Sequence, residues 1–187
     1  MAPDDVRLWH GWTMTRIALL LAALSCLPTA SAQSEEALAQ QRFEQTAMGV
    51  LGGWSVANLA LGGFTWASAE APRLRGVGQG NLMWNTVNGG IATAGLIGAS
   101  RLDWQTLSAD ELTRRQKRMR TAFLVNGGID LLYIGAGIGL SEWARSRDDF
   151  TRQGWGQALV TQGAFLLVFD GVAAWAQHRL IRKRRRG

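Results

Sequence analysis

Apolar residues in this 187-residue chain gather in four runs, at about 47–66, 81–99, 121–140 and 154–175, and most charges fall between them. Each run is long enough to cross a bilayer, which takes about 20 residues of helix. Each also carries an amide near its middle: Asn58, Asn88, Asn126 and Gln162. The pentapeptide VNGGI occurs twice, at Val87–Ile91 and Val125–Ile129. Trp84 and Asn88 repeat the spacing of Trp54 and Asn58 at an offset of 30 positions. Residues four apart share a helix face, so each run places its amide on a definite stripe. The pattern predicts an all-α, polytopic membrane four-helix bundle with an internal repeat, preceded by a signal peptide.

The runs differ in what accompanies the amide. The second is the least hydrophobic and adds Asn85 beside Trp84, so it is expected to be lined by protein rather than lipid. The third carries Asn126, Asp130, Tyr133 and Gly137 at 4-3-4 spacing, one face of a helix. The fourth carries Gln162 and, further on, Asp170. Its segment 163–169 aligns with 127–133, with Leu166 at the place of Asp130. The paired glycines of VNGGI are expected at helix contacts, where small residues allow backbones to approach. Between the first two runs, residues 67–80 hold Pro72, Arg73, Arg75 and the glycines at 76, 78 and 80. They read as a flexible turn, because no strand precedes them and the third glycine of the dinucleotide fingerprint is missing. Ser108 and Glu111 have the spacing of a capping box. Asp110 with Arg114 and Glu111 with Arg115 are spaced for helical ion pairs.

Residues 1–32 have the form of a secretory signal, with Arg16 before the apolar stretch 17–27 and the small-residue pattern Ala30-Ser31-Ala32. Residues 33–46 are a polar juxtamembrane segment, 47–178 the four-span domain and 179–187 a basic tail. The single cysteine, Cys26, lies in the leader, so the mature chain has no thiol chemistry. The net charge of +6 sits in blocks beside apolar runs. Such blocks mark membrane topology rather than nucleic-acid binding. Two topology signals oppose each other. A cleaved leader puts both mature termini outside. The excess of Lys and Arg in 101–120 and in the tail puts that end in the cytoplasm. The second is given the greater weight.

Asp130 and Asp170 are the most informative residues. A carboxylate inside a span costs about 2.5–3.5 kcal/mol on insertion scales and is a functional candidate by default. No Lys or Arg lies in the middle of a span to pair with either acid. A desolvated carboxyl in that situation favours its neutral form, which can donate to an amide. The polar-core or binding set is therefore Asn58, Trp84, Asn85, Asn88, Asn126, Asp130, Tyr133, Gln162 and Asp170. The favoured reading is a non-enzymatic membrane protein whose amide and carboxyl core is structural or binds a small polar species. The alternative is an oligomeric proton- or cation-translocating subunit using Asp130 and Asp170. The only histidines, His10 and His178, lie outside the spans, and no hydrolase, zinc-protease or phosphate-loop motif occurs. No catalytic residue, metal or cofactor is expected. Expected partners are the lipid bilayer, anionic lipid at the basic tail and further copies of the chain, with no nucleic acid.

The WNxxN of Trp84–Asn88, the NxxxDxxY of Asn126–Tyr133 and the QGxFLxxFD of Gln162–Asp170 resemble an uncharacterised family of small bacterial membrane proteins, a domain of unknown function. The resemblance spans roughly residues 45–178. It implies the four-helix architecture and frequently a signal; the expected location is the bacterial inner (cytoplasmic) membrane. It implies no activity.

Overall fold

The computed structural model describes the backbone of residues 6–184 and the side chains of residues 35–182. The start of the expected signal, the side chains of the rest of it and the last residues of the basic tail lie outside that description. Four helices follow one another: α1 (Val6–Ser68), α2 (Pro72–Arg101), α3 (Ala109–Arg145) and α4 (Phe150–Arg184). No strand occurs among the described residues. Short turns at 69–71 and 146–149 make each helix antiparallel to the next. The bundle thus has a turn end and a basic end, where α2 finishes, α3 starts and α4 finishes.

Local chemistry sets the helix limits. Pro72 occupies the first turn of α2, where its missing N–H costs nothing and its fixed φ suits the helix. The expected capping box is present: the Glu111 amide donates to Ser108 Oγ at 3.3 Å, and the Ser108 amide donates to Glu111 Oε2 at 2.8 Å. Asp148 sits at φ 56 in the α3–α4 turn, a left-handed position that Asp tolerates better than most residues. Asp149 then caps α4 by accepting from the Arg152 amide at 3.0 Å.

The residues 76–80 are not a turn. They lie inside α2, and Gly76, Gly78 and Gly80 are buried in its contact faces. A methyl built on Gly78 would stand 2.7 Å from Gly62 O and 2.6 Å from Trp66 N of α1. One on Gly80 would stand 2.6 Å from Ala158 Cβ of α4, and one on Gly76 would collide with Thr151 O of α4. The helix runs through this stretch because bare backbone on two sides lets α1 and α4 close on it, which more than offsets the poor helix propensity of glycine. Gly137 and Gly156 make the same kind of contact between α3 and α4. The VNGGI glycines do not. Gly90 and Gly128 have nothing within 4 Å, and Gly89 and Gly127 make only ordinary contacts, at 3.6 Å to Ser55 and 3.8 Å to Leu167. The tight crossings therefore lie toward the turn end. α2 packs on α1 and α4, α3 packs on α4, and α2 and α3 have no close backbone approach.

Polarity is distributed inside out. Of the six largest fully buried side chains, Gln40, Gln162, Gln177, Asn85 and Ser55 are polar and only Leu112 is apolar. Meanwhile Phe64 (72%), Leu132 (71%) and Val168 (66%) are exposed. Water would penalise both halves of that arrangement; lipid favours it. Among the described residues, three helices are long and apolar enough to cross a membrane: α1 from Glu35 onward, α3 and α4. α2 falls short, because its polar residues are averaged with its apolar ones. The chain is a membrane protein built as an all-α bundle.

Candidate functional site in the bundle core

The nine expected residues separate into two groups along the bundle axis. Nearer the turn end, Gln162 of α4 is the hub of an amide network. Trp54 Nε1 donates to Gln162 Oε1 at 2.8 Å, and Gln162 Nε2 donates to Asn81 Oδ1 at 3.1 Å and to Asn58 Oδ1 at 3.3 Å. The Trp54 ring stacks on Phe165 with centroids 3.8 Å apart. Three helices are tied together here, and both polar groups of the Gln162 amide are used. Asn85 is fully buried beside this network, donating to Asn81 O at 2.8 Å, with its Oδ1 unpartnered.

Nearer the middle of the spans the helices part and leave a cavity of about 200 Å³. Trp84, Asn88, Asn126, Asp130, Tyr133 and Asp170 all line it, with Phe123 and Phe169 among its apolar walls. Trp84 of α2 and Tyr133 of α3 meet across it with ring centroids 4.7 Å apart. Asp130 and Asp170 are both buried, and both line this cavity. Asp130 Oδ2 and Asn88 Nδ2 are buried without a hydrogen-bond partner. Orphans of this kind are rare in proteins and call for an explanation. Asn126 is exposed at the cavity rim rather than bonded inside. No Lys, Arg or His lines the cavity.

The single amide and carboxyl layer expected from the spacing is therefore two layers. Asn58 and Gln162 bond to each other. Asn88 and Asn126 join the acids instead. Trp54 reaches Gln162 and Phe165 of α4, and Trp84 reaches Tyr133 of α3.

A third polar cluster, at the basic end, was not expected. Gln40 and Gln177 exchange amide hydrogen bonds, Nε2 of Gln177 to Oε1 of Gln40 at 2.8 Å and Nε2 of Gln40 to Oε1 of Gln177 at 3.3 Å. Glu44 accepts a two-pronged bond from Arg115, at 2.6 Å from Nε and 2.5 Å from Nη2. This hydrogen bond raises the Arg115 pKa above its ordinary value. Arg115 thus serves Glu44 and not the expected Glu111, whose carboxyl caps α3 and is held below its usual value by Ser108. A signal for this cluster exists in the spacing: Gln162, Asp170 and Gln177 are eight and seven apart, a continuous stripe on α4.

The cavity contains no group capable of holding a metal by itself; no set of three or more His, Cys, Asp or Glu residues converges among the described residues. What it presents is a pair of buried acids, aromatic walls, a phenol and two amides. That set suits a small ligand carrying positive charge and some apolar surface. No curated protein and no solved structure matches the chain. A family profile does match, over residues 50–171, a stretch that contains all nine of the residues above, and on that match the chain belongs to the family of unknown function DUF6992.

Proposed function

We propose that the protein is a non-enzymatic component of the bacterial inner membrane, with its basic end in the cytoplasm, whose core cavity binds a small cationic species. One observation carries this reading. Two buried carboxyls face one cavity with no cationic side chain on it, and one of their oxygens is unpartnered. Buried acids are normally matched by charge or hydrogen bonds. Here the match is a proton, or a ligand cation entering the cavity. Trp84, Tyr133, Phe123 and Phe169 would surround the apolar body of an organic ammonium, and ring faces attract such ions. The amide of Asn88 would orient a second polar group.

The test uses the purified protein in nanodiscs. Benzylammonium and its neutral counterpart benzyl alcohol are titrated while melting temperature is followed. Stabilisation by the ammonium alone, lost in Asp130→Asn and Asp170→Asn, is expected. Equal stabilisation by the alcohol, or none by either probe, overturns the cationic reading. The same acids could instead carry protons across the bilayer. The observation favouring that second reading is that Asp130 of α3 and Asp170 of α4 line one cavity in the middle of the spans. Proteoliposomes under an imposed pH gradient separate the two, since only translocation yields a flux that either Asn variant abolishes.

A further inference from the structure

A second cavity, of about 420 Å³, lies between α3 and α4 at the basic end, lined by Lys117, Arg120, Thr121, His178, Ile181 and Arg182. It shares no residue with the core cavity. Its charge is uncompensated. Arg115–Glu44, Arg145–Glu142 and Arg152–Asp149 pair elsewhere, and Lys117, Arg120 and Arg182 have no acid partner among the described residues. No Asp or Glu lines the cavity. Three like charges brought together on two helices repel one another, and a bound anion would relieve that repulsion. Thr121 adds a hydroxyl donor and His178 a ring nitrogen.

The surroundings indicate which anion. Moving from the cavity toward the bundle middle, α3 presents Leu124 (53% exposed) and Val125, and α4 presents Trp175 and Val172 (60% exposed). Gly128 and Gly171 follow, each with open space where a side chain would be. A basic hollow at the end of two apolar helices, continued by a smooth apolar groove, matches a molecule with an anionic head and apolar tails. A free phosphate would use only the first half of this surface.

We propose that this hollow holds the phosphate headgroup of an anionic phospholipid of the adjoining leaflet, with an acyl chain running along the α3–α4 groove. Arg120 and Arg182 grip the phosphate with forked donors, as guanidinium groups do. Lys117 supplies a point charge at the mouth.

The experiment compares the full chain, extracted in mild detergent, with two double variants. Arg120→Gln with Arg182→Gln alters the hollow. Arg114→Gln with Arg118→Gln removes the same charge from the same end without touching it. Native mass spectrometry reads retained phosphatidylglycerol against phosphatidylcholine, both supplied in equal amounts, and a parallel arm adds inorganic phosphate. The expected result is preferential retention of phosphatidylglycerol by the wild type and by the Arg114/Arg118 variant, falling about tenfold or more in the Arg120/Arg182 variant. Inorganic phosphate at millimolar concentration should not displace it. Equal loss in both variants would reduce the effect to diffuse attraction and overturn the site. Displacement by inorganic phosphate, or equal retention of the two lipids, would overturn the lipid as occupant.

Discussion

Replacing glycine by alanine at two places on α3 should change stability in opposite directions. At Gly137 the added methyl stands 2.7 Å from Gly156 O, 2.8 Å from Val160 Cγ2 and 2.9 Å from Val160 N of α4, whereas ordinary contact begins at 3.4 Å. Two of those three atoms are backbone, so relief requires α3 and α4 to separate by several tenths of an ångström along their closest crossing. Overpacking of this kind costs about 1–3 kcal/mol. Alanine recovers up to about 1 kcal/mol through helix propensity. The net expectation is a loss of about 1–2 kcal/mol. At Gly128, nine residues earlier, nothing lies within 4 Å. There the propensity gain of up to about 1 kcal/mol stands alone. The measurement is the midpoint of unfolding in mixed micelles titrated with dodecyl sulfate, followed by circular dichroism. Gly156→Ala should behave like Gly137→Ala, and the double variant should cost less than the sum, since one separation accommodates both methyls. If Gly137→Ala moves the midpoint in the same direction as Gly128→Ala, the α3–α4 crossing is not where these distances place it.

Gln162→Leu removes three interhelical hydrogen bonds, and at about 0.6 kcal/mol each should lower stability by about 2 kcal/mol while shifting the emission of Trp54. An unchanged midpoint would show that Trp54, Asn58 and Asn81 find other partners. Glu44→Gln leaves Arg115 without its carboxylate. Arg115 is 36% exposed and can partly rehydrate, so the loss should be about 1–3 kcal/mol rather than the 3–5 of a fully buried pair, and Arg115→Met in the same chain should restore part of it. Glu111 has a folded pKa below its ordinary 4.5, so its contribution to the start of α3 is present above that value and lost as pH falls through the lowered one. Amide exchange in the first turn of α3 should therefore accelerate in acid relative to the rest of the helix, and Ser108→Ala should produce the faster exchange, about fivefold, at neutral pH as well.

The elements that were legible in the sequence are those governed by local rules. The capping box at Ser108 needs only residues three apart, and it formed as its spacing indicated. The apolar runs and three of their four amides, Asn58, Asn88 and Gln162, which are buried, needed only the helical period; Asn126 is exposed at the cavity rim. The contacts that decide which glycines matter are not local. VNGGI drew notice because it repeats, yet its second and fourth copies of glycine face open space, while the stretch GVGQG holds two of the tightest approaches in the bundle. Nothing within either segment distinguishes them; the difference lies in which helix stands opposite. The pairing of Arg115 was hidden for the same reason. Glu111 offered a partner four positions away, but Ser108 had already claimed that carboxylate, and Glu44 waited on another helix. Six of the nine candidate residues share one cavity because Asp130, Tyr133 and Asn126 occupy one stripe, and α4 brings Asp170 to it. Asn58 and Gln162 share the residue types but sit at another depth, which period alone does not reveal.

The second helix shows why averaging along a chain misreads a segment of this kind. Its polar residues point toward protein: Asn85 and Asn88 are buried, and Asn81 answers Gln162. Its outward residues include Met83, Val87, Ile91, Leu96 and Ile97, while the exposed Thr86 and Thr93 donate their hydroxyls back to Leu82 O and Gly89 O of the same helix. Summed over both faces the helix falls below what a solitary span requires. Taken face by face, its outward side is mostly apolar and its exposed hydroxyls are satisfied by its own backbone. The cost of bringing this polar face out of water is offset only when α1 and α4 are already alongside, because Gln162, the partner of Asn81, and the glycine crossings are there. α2 therefore depends on the assembled bundle in a way that α1, α3 and α4 do not. The polar face that weakens it as an independent span is the one that supplies Trp84 and Asn88 to the core cavity.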